Sequence, residues 1–226
     1  MTDHPQDALV TELRNRVATG EVLRGDRLLP EREMAQRLGV SRGRLRQALD
    51  QLETEGALFR RRGQGTFVQP PPARDAARFK SLAQRVSPQE VMEVRLVVEP
   101  ALAGLAAQNA DTAMRELFAQ ATQATLEARD QQSYDAADDV FHYKIAQMAQ
   151  NPLFLTVYES IRSVRAQAGW ANRRAETYSP EVTEVLGQQH QILAAAILRR
   201  DSAAATQAMQ AHLRCVAETL SQGGLP

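Results

Sequence analysis

Three features of the sequence predict a mainly α-helical chain built as two units. Apolar residues recur at helical spacing through the first fifty or so positions and give way to two apolar pairs around a glycine-rich tip. Prolines then interrupt the chain in Gln69–Arg74, and helical periodicity without strand signals fills the remainder. Residues 1–70 therefore read as a winged helix-turn-helix, three helices plus a β-hairpin wing. Residues 71–75 read as a linker, and 76–226 as an all-α antiparallel bundle of about seven helices.

In the first unit, Leu9, Leu13 and Val17 lie on one helical face and Gly20 stops the run, which predicts a helix over about Asp7–Thr19. A second helix begins near Pro30, turns Met34, Ala35 and Leu38 inward and stops at Gly39. Ser41, a favoured N-cap residue, opens a third with Leu45, Ala48, Leu49 and Leu52 on one face, ended by Gly56. Leu58-Phe59 and Phe67-Val68 flank Arg60-Arg61-Arg62-Gly63-Gln64-Gly65, the pattern of two antiparallel strands with a glycine tip. Beyond the linker the helical pieces are 76–85, 88–108, 111–129, 131–149, 152–170, 180–199 and 201–221. Breaks fall at Pro88, Asp111, Asn151-Pro152 and Ser179-Pro180.

Composition bounds the classes. Hydrophobic residues at 43% and charged residues at 24% suit a globular protein. The longest apolar run, Ile192–Leu198, is far short of the roughly 18 residues a membrane span needs. The first residues lack the basic-then-apolar order of a signal peptide, so a cytoplasmic location and no membrane partner are expected. Cys215 is the single cysteine and cannot form an intrachain disulfide; no role is assigned to it. The formal net charge is zero, with 12 Arg against 10 acids in residues 1–70 and 15 basic residues against 17 acids in the rest. A nucleic-acid partner would have to be recognised by locally placed charge.

Such placement occurs at Ser41-Arg42-Gly43-Arg44-Leu45-Arg46, which opens the third helix. A helix N-terminus carries partial positive charge, so arginines there cost on the order of a few tenths of a kcal/mol. An anionic partner reverses that cost. The second helix of a helix-turn-helix presents these positions to the major groove, where arginine reads guanine and neutralises phosphate. Arg32, early in the second helix, and Arg60–Arg62, leading into the wing, add basic sites to the same presumed surface. Solvated surface charge is the alternative reading of any one cluster.

The first unit resembles the GntR family of bacterial regulators. The residues that carry the resemblance are Gly20, Gly25-Asp26-Arg27-Leu28, Glu31-Arg32-Glu33-Met34-Ala35, Leu38-Gly39-Val40-Ser41-Arg42, Leu45-Arg46-Gln47-Ala48-Leu49, Leu52, Glu55-Gly56 and Gly63-Gln64-Gly65-Thr66-Phe67-Val68. The resemblance implies DNA contacts from Arg32, Arg42 and Arg46, with Ser41 and Arg44 beside them and Gly63 at the wing tip near the minor groove. Leu28-Leu29-Pro30 departs from the family's Leu-Pro-Ser, which bears on capping of the second helix, and Gln47 replaces a common Glu.

In the second unit, Asp138 precedes His142 by four residues and shares its helix face, while His190 and His212 fall on the last two helices. Three helices can thus direct four ligands to one point, although spacing alone leaves ordinary polar or core histidines as the alternative. This unit resembles the FCD ligand-binding domain of the FadR branch of the same family. Metal-binding members of that branch carry Asp-x-x-Phe-His, here Asp138–His142, and two later histidines, here His190 and His212. The implied cofactor is a divalent transition metal, zinc first, with nickel, manganese or iron also suited to imidazole and carboxylate. Arg95 lies among Val91, Val94, Val98 and Leu102; it reads either as a surface ion pair with Glu99 or as a clamp on an effector carboxylate. Trp170 reads as packing or as a wall of the same pocket.

The resulting expectation is a transcription regulator, read as a repressor and not as an enzyme. It would bind a palindromic double-stranded operator as a homodimer under the control of a small organic or sugar acid at the metal. A metal-dependent enzyme with a DNA-binding appendage is the rival, against which stands the lack of a His-Glu-x-x-His pattern.

Overall fold

The computed structural model describes residues 5–54, 57–61, 63–70 and 76–222. Glu55, Gly56, Arg62 and the expected linker at 71–75 lie outside the described residues, as does the side chain of Arg61. The chain divides into two compact units, residues 1–71 and 72–226.

The first unit holds α1 (Pro5–Ala18), α2 (Glu31–Leu38) and α3 (Arg42–Thr54). Leu9 and Leu13 of α1, Met34 of α2 and Leu45, Ala48, Leu49 and Leu52 of α3 close one hydrophobic core. Their apolar stripes are what fix the helix-turn-helix, because each helix alone could not bury its face. Ser41 caps α3 as expected: the Arg44 N–H donates to its hydroxyl at 3.3 Å. The departure at Leu29-Pro30 has a structural result, since Pro30 occupies the N-cap of α2 and offers no side-chain acceptor. Glu31 and Glu33 in the first turn complement the helix dipole instead.

The wing is β3 (Phe59–Arg61) paired with β4 (Gly65–Phe67). Two further strands, β1 (Leu23–Arg24) and β2 (Arg27–Leu28), form a minimal hairpin about Gly25-Asp26 that the apolar pattern did not announce. Arg27 of β2 pairs with Phe67, giving a four-stranded sheet in the order β1-β2-β4-β3. The wing is therefore anchored to the loop between α1 and α2 and does not stand alone.

The second unit contains α4 (Ala76–Ala83), α5 (Pro88–Asn109), α6 (Thr112–Glu127), α7 (Gln131–Met148), α8 (Pro152–Arg165), α9 (Ala168–Glu176), α10 (Pro180–Leu198) and α11 (Ser202–Gln222). The expected breaks are helix caps. Ser87 and Glu90 form a reciprocal capping box on α5, and Asp111, Asn151 and Ser179 cap α6, α8 and α10. The stretch 152–170, read from sequence as one helix, is two. Gln167 turns extended between α8 and α9 with no side-chain cap, and Trp170 just beyond it is buried. Packing of that indole, rather than a local breaker, accompanies the break.

The most extensive helix pairing in this unit is α5 on α11, followed by α10 on α11. Small buried residues lie on both of its helices: Ala103, Gly104 and Ala107 on α5 and Ala205 on α11. A Cβ added at Gly104 would lie 2.6 Å from Thr206 Oγ1, so the close approach of the two helices depends on glycine there. Among the described residues no helix is long and apolar enough to cross a membrane.

Candidate metal centre

On the first unit, Arg32, Ser41, Arg42, Arg44, Arg46 and Gly63 are all exposed. Gly63 adopts φ +78 at the hairpin tip, a left-handed conformation that a side chain would strain. Arg46 Nε donates to Glu31 Oε2 at 2.7 Å. Arg60 is held by Asp50 and Glu53 of α3, so this wing-base arginine faces the third helix.

In the second unit, the buried row of α7 runs Tyr134, Asp138, Phe141, His142 and Ile145, the spacing of a single helix face. Phe141 stacks on Phe118 of α6 at 4.9 Å and on the His190 ring at 4.2 Å, which fixes the rotation of α7. His190 comes from α10 and His212 from α11, and both are fully buried. One donor atom from each of Asp138, His142, His190 and His212 lies within 4.8 Å of the others. Asp138 Oδ1 is 3.6 Å from His142 Nε2 and 3.6 Å from His190 Nε2. With metal–ligand bonds of about 2.0–2.2 Å, neighbouring ligands stand roughly 3–3.5 Å apart. The spacing suits a shared ion after a small contraction.

The chemistry of the donors fits as well. His142 Nε2, both ring nitrogens of His190 and His212 Nε2 are buried with no hydrogen-bond partner, and buried polar atoms are seldom left so. The other edges of two rings have outer partners. Glu99 Oε2 lies 2.8 Å from His142 Nδ1, off the line of an ideal N–H donor, and Gln189 Oε1 lies 3.1 Å from His212 Nδ1. Both oxygens accept, which favours a proton on Nδ1 and leaves the Nε2 lone pair facing the cluster. Burial drives His190 down to about 3, with Asp138 pulling the other way. Burial likewise drives His212 well below the usual imidazole value. For Asp138 burial acts upward, but Arg174, His142 and Arg165 together outweigh it and hold the carboxyl well below its ordinary value. The set near neutral pH is one carboxylate with neutral imidazoles at His190 and His212, a donor set that could hold a divalent transition metal.

Arg95 does pair with Glu99, but in the interior: both side chains are 1% exposed, with Nε donating to Oε1 at 2.6 Å. The surface form of that ion pair, one of the two sequence readings, is thereby corrected. The buried face of α5 is wide enough to include both residues beside Met92 and Leu102. Trp170 is buried, with the Arg95 and Arg165 guanidinium carbons 5.7 and 5.6 Å from its ring centre. The sequence reading missed Arg165. Its Nη2 donates to Asp138 Oδ2 at 3.1 Å, while Nε and Nη1 are buried without an acceptor. Its position seven residues after Tyr158, on the face that also carries Ile161, was the available signal. Arg174 also approaches Asp138 Oδ2, at 3.9 Å, and pairs with Asp135 at 2.9 Å.

A winged helix-turn-helix joined in one chain to a helical unit with a buried donor cluster is the build of a DNA-binding transcriptional regulator. Residues 5–68 match the family described as bacterial regulatory proteins, gntR family, and residues 90–214 match the FCD domain. A candidate L-lactate dehydrogenase operon regulatory protein of Escherichia coli K12 is 31% identical over 88% of this chain and 79% of its own. The HTH-type transcriptional regulator LutR of Bacillus subtilis is 28% identical over 91% of this chain and 96% of its own. The solved structure of E. coli McbR/YncC shares the fold, with a TM-score of 0.54 and 17% identity over 98% of this chain and 99% of that one. The chain belongs to the GntR family, in its FadR-like branch with an FCD domain, and is a transcriptional regulator rather than an enzyme.

Proposed function

We propose that this regulator binds a palindromic operator as a homodimer, in the cytoplasm, and that a small organic or sugar acid at the metal centre releases it from DNA, making it a repressor. The observation that carries the reading is the convergence of Asp138, His142, His190 and His212 with imidazole nitrogens left unpartnered in the interior. Zinc is the first choice of metal, with nickel, manganese or iron also compatible with the donors. A bound metal would supply a Lewis-acid centre for an effector oxygen. Arg95 and Trp170 wall the effector space, and the Glu99 pair holds Arg95 in place. The name of the E. coli relative, which refers to an L-lactate dehydrogenase operon, supports a hydroxy acid.

On the DNA side, Arg42, Arg44 and Arg46 meet the major groove with Ser41 at the start of α3, Arg32 meets the adjoining backbone, and Gly63 lets the wing tip approach the minor groove. The acid acts by preferring one arrangement of the dimer over the other. The test is selection of bound sites from random DNA by the metal-loaded full chain, followed by anisotropy titration with L-lactate, citrate and D-gluconate. Enrichment of a two-fold symmetric site, and weakened binding on adding an acid, are expected. No enriched site, or an acid response that persists unchanged in His190→Ala, would overturn the reading.

A further inference from the structure

We propose that the small hairpin of β1 and β2 is a second phosphate-binding element, in which Arg24 and Arg27 hold the DNA backbone beside the wing. This rests on the reading of the first unit as a DNA-binding domain and adds two contacts to those inferred from the family motif. Three observations carry it. First, Arg24 and Arg27 are directly opposed across the hairpin, and the other opposed pair, Leu23 and Leu28, packs on the core. Opposed residues share a face, with Cβ atoms about 4.5–5.5 Å apart, so the two guanidinium groups stand together on the outer face, where both are exposed. Like charges so placed destabilise a pairing that has only two residues on each strand. Among the described residues neither arginine has an ion-pair partner, Asp26 in the intervening turn included. A bound anion turns this repulsion into a binding site.

Second, the unpaired arginines of the first unit are a distinct set. Arg16 pairs with Glu12 and Glu21, Arg37 with Glu33, Arg46 with Glu31, and Arg60 with Asp50 and Glu53. Arg24, Arg27, Arg32 and Arg42 form no ion pair among the described residues. Arg32 and Arg42 already belong to the proposed DNA surface, and the hairpin arginines share their lack of a partner.

Third, Arg27 lies against the wing. Its register partner is Phe67, yet its guanidinium reaches Gly65, two residues nearer the wing tip: a Cβ built on Gly65 would stand 2.6 Å from Arg27 Nε and 3.0 Å from Nη2. Glycine at that position leaves the room the guanidinium occupies. Gly63, at the tip, is two residues further along the wing, and in the other direction β2 leads within five residues to Arg32 at the start of α2. The hairpin is thus tied to two elements of the same proposed surface. Arginine's forked donors suit bidentate contact with phosphate, which carries no base information, so Arg24 and Arg27 contribute affinity and orientation rather than sequence choice.

The experiment compares wild type, Arg24→Gln, Arg27→Gln, the double variant, Arg27→Lys and Arg42→Ala as full chains. The probe is a pool of short duplexes of random sequence, titrated by anisotropy between about 50 and 200 mM salt. Each single glutamine variant is expected to bind several-fold more weakly at the low end and to lower the slope of log affinity against log salt by about one, and the double variant by about two. Arg27→Lys keeps the charge and the slope. Thermal melts show an unchanged or higher Tm for Arg24→Gln, because cross-strand repulsion is removed, so the loss is not one of folding. Wild-type affinity and slope in the double variant, with binding weakened in Arg42→Ala, overturn the hairpin site and leave the DNA-binding reading in place. A wild type that binds no duplex overturns that reading and the proposal with it.

Discussion

Glu99 Oε2 stands 2.8 Å from His142 Nδ1, so α5 supplies the outer partner of an imidazole carried by α7. Such carboxylate–imidazole contacts set ring orientation and basicity, and losing one typically costs 10- to 100-fold in metal affinity. Glu99→Gln is expected to weaken zinc binding by about that factor, read by competition with a chromophoric chelator. The same variant leaves Arg95 as a buried, uncompensated charge and should lose roughly 3 kcal/mol in denaturant unfolding. Unchanged metal affinity would mean that Glu99 only packs and neutralises Arg95.

The metal-free second unit should be acid-sensitive, with a sign fixed by burial. His190 is driven down to about 3, and His212 well below its usual value, whereas both ionise near 6.5 in an unfolded chain. Below pH 6.5 the unfolded state therefore binds protons that the folded state refuses, and stability falls as pH falls. Asp138 works at lower pH: its carboxyl is depressed, so its contribution is intact above the ordinary carboxylate range and disappears only below it. At pH 5 His190 contributes a loss of about 2 kcal/mol, and His212 acts in the same direction. Thermal melts of chelator-treated protein between pH 7.5 and 4.5 should show this slope, and His190→Gln should flatten it. An apo-protein Tm independent of pH over that range would contradict the buried, neutral state of the ring.

The same contrast between local and distant causes explains what the sequence disclosed. The step from Asp138 to His142 is one helical turn, and the breaks at Pro88, Asn151-Pro152 and Ser179-Pro180 are made by neighbours in the chain, so both were legible from spacing. The two-residue strands β1 and β2 have too few positions to alternate, and their pairing depends on Phe67, some forty residues on. Gln167 breaks α8 from α9 without any capping side chain. Which arginine is buried with spare donors was decided by how α8 lies against α5 and α7. Arg162 and Arg165 are three residues apart, yet one meets Asp139 and the other reaches Asp138 and Trp170.

Arg46 offers a separation of stability from recognition. Its ion pair with Glu31 is exposed, 57% and 30% for the two side chains, and such pairs contribute about 0–1 kcal/mol. Arg46→Ala should leave denaturant stability nearly unchanged. If Arg46 meets DNA, operator affinity falls and the slope of log affinity against log salt drops by about one. An unaltered affinity and salt slope would remove Arg46 from the DNA surface and leave only its Glu31 contact.

Gly104 tests whether the α5–α11 approach is set by the absence of a side chain. Glycine to alanine inside an exposed helix normally stabilises by about 1 kcal/mol, through backbone entropy. Here the new methyl would stand 2.6 Å from Thr206 Oγ1 and 3.1 Å from Ser202 Oγ. Neither hydroxyl is free to swing away at no cost, since Thr206 Oγ1 donates to the Ser202 carbonyl at 2.9 Å and Ser202 Oγ donates to the Gly104 carbonyl at 3.0 Å. Overpacking of this kind costs about 1–3 kcal/mol, so Gly104→Ala is expected to lower Tm despite the gain in helix propensity. Combined with Thr206→Ala, which removes the closest atom, the same substitution should become neutral or stabilising relative to Thr206→Ala alone. A double-mutant cycle by denaturant unfolding reads that change of sign. Additive effects would mean that α11 shifts to make room, and that the helix spacing beside His212 is set elsewhere along the interface.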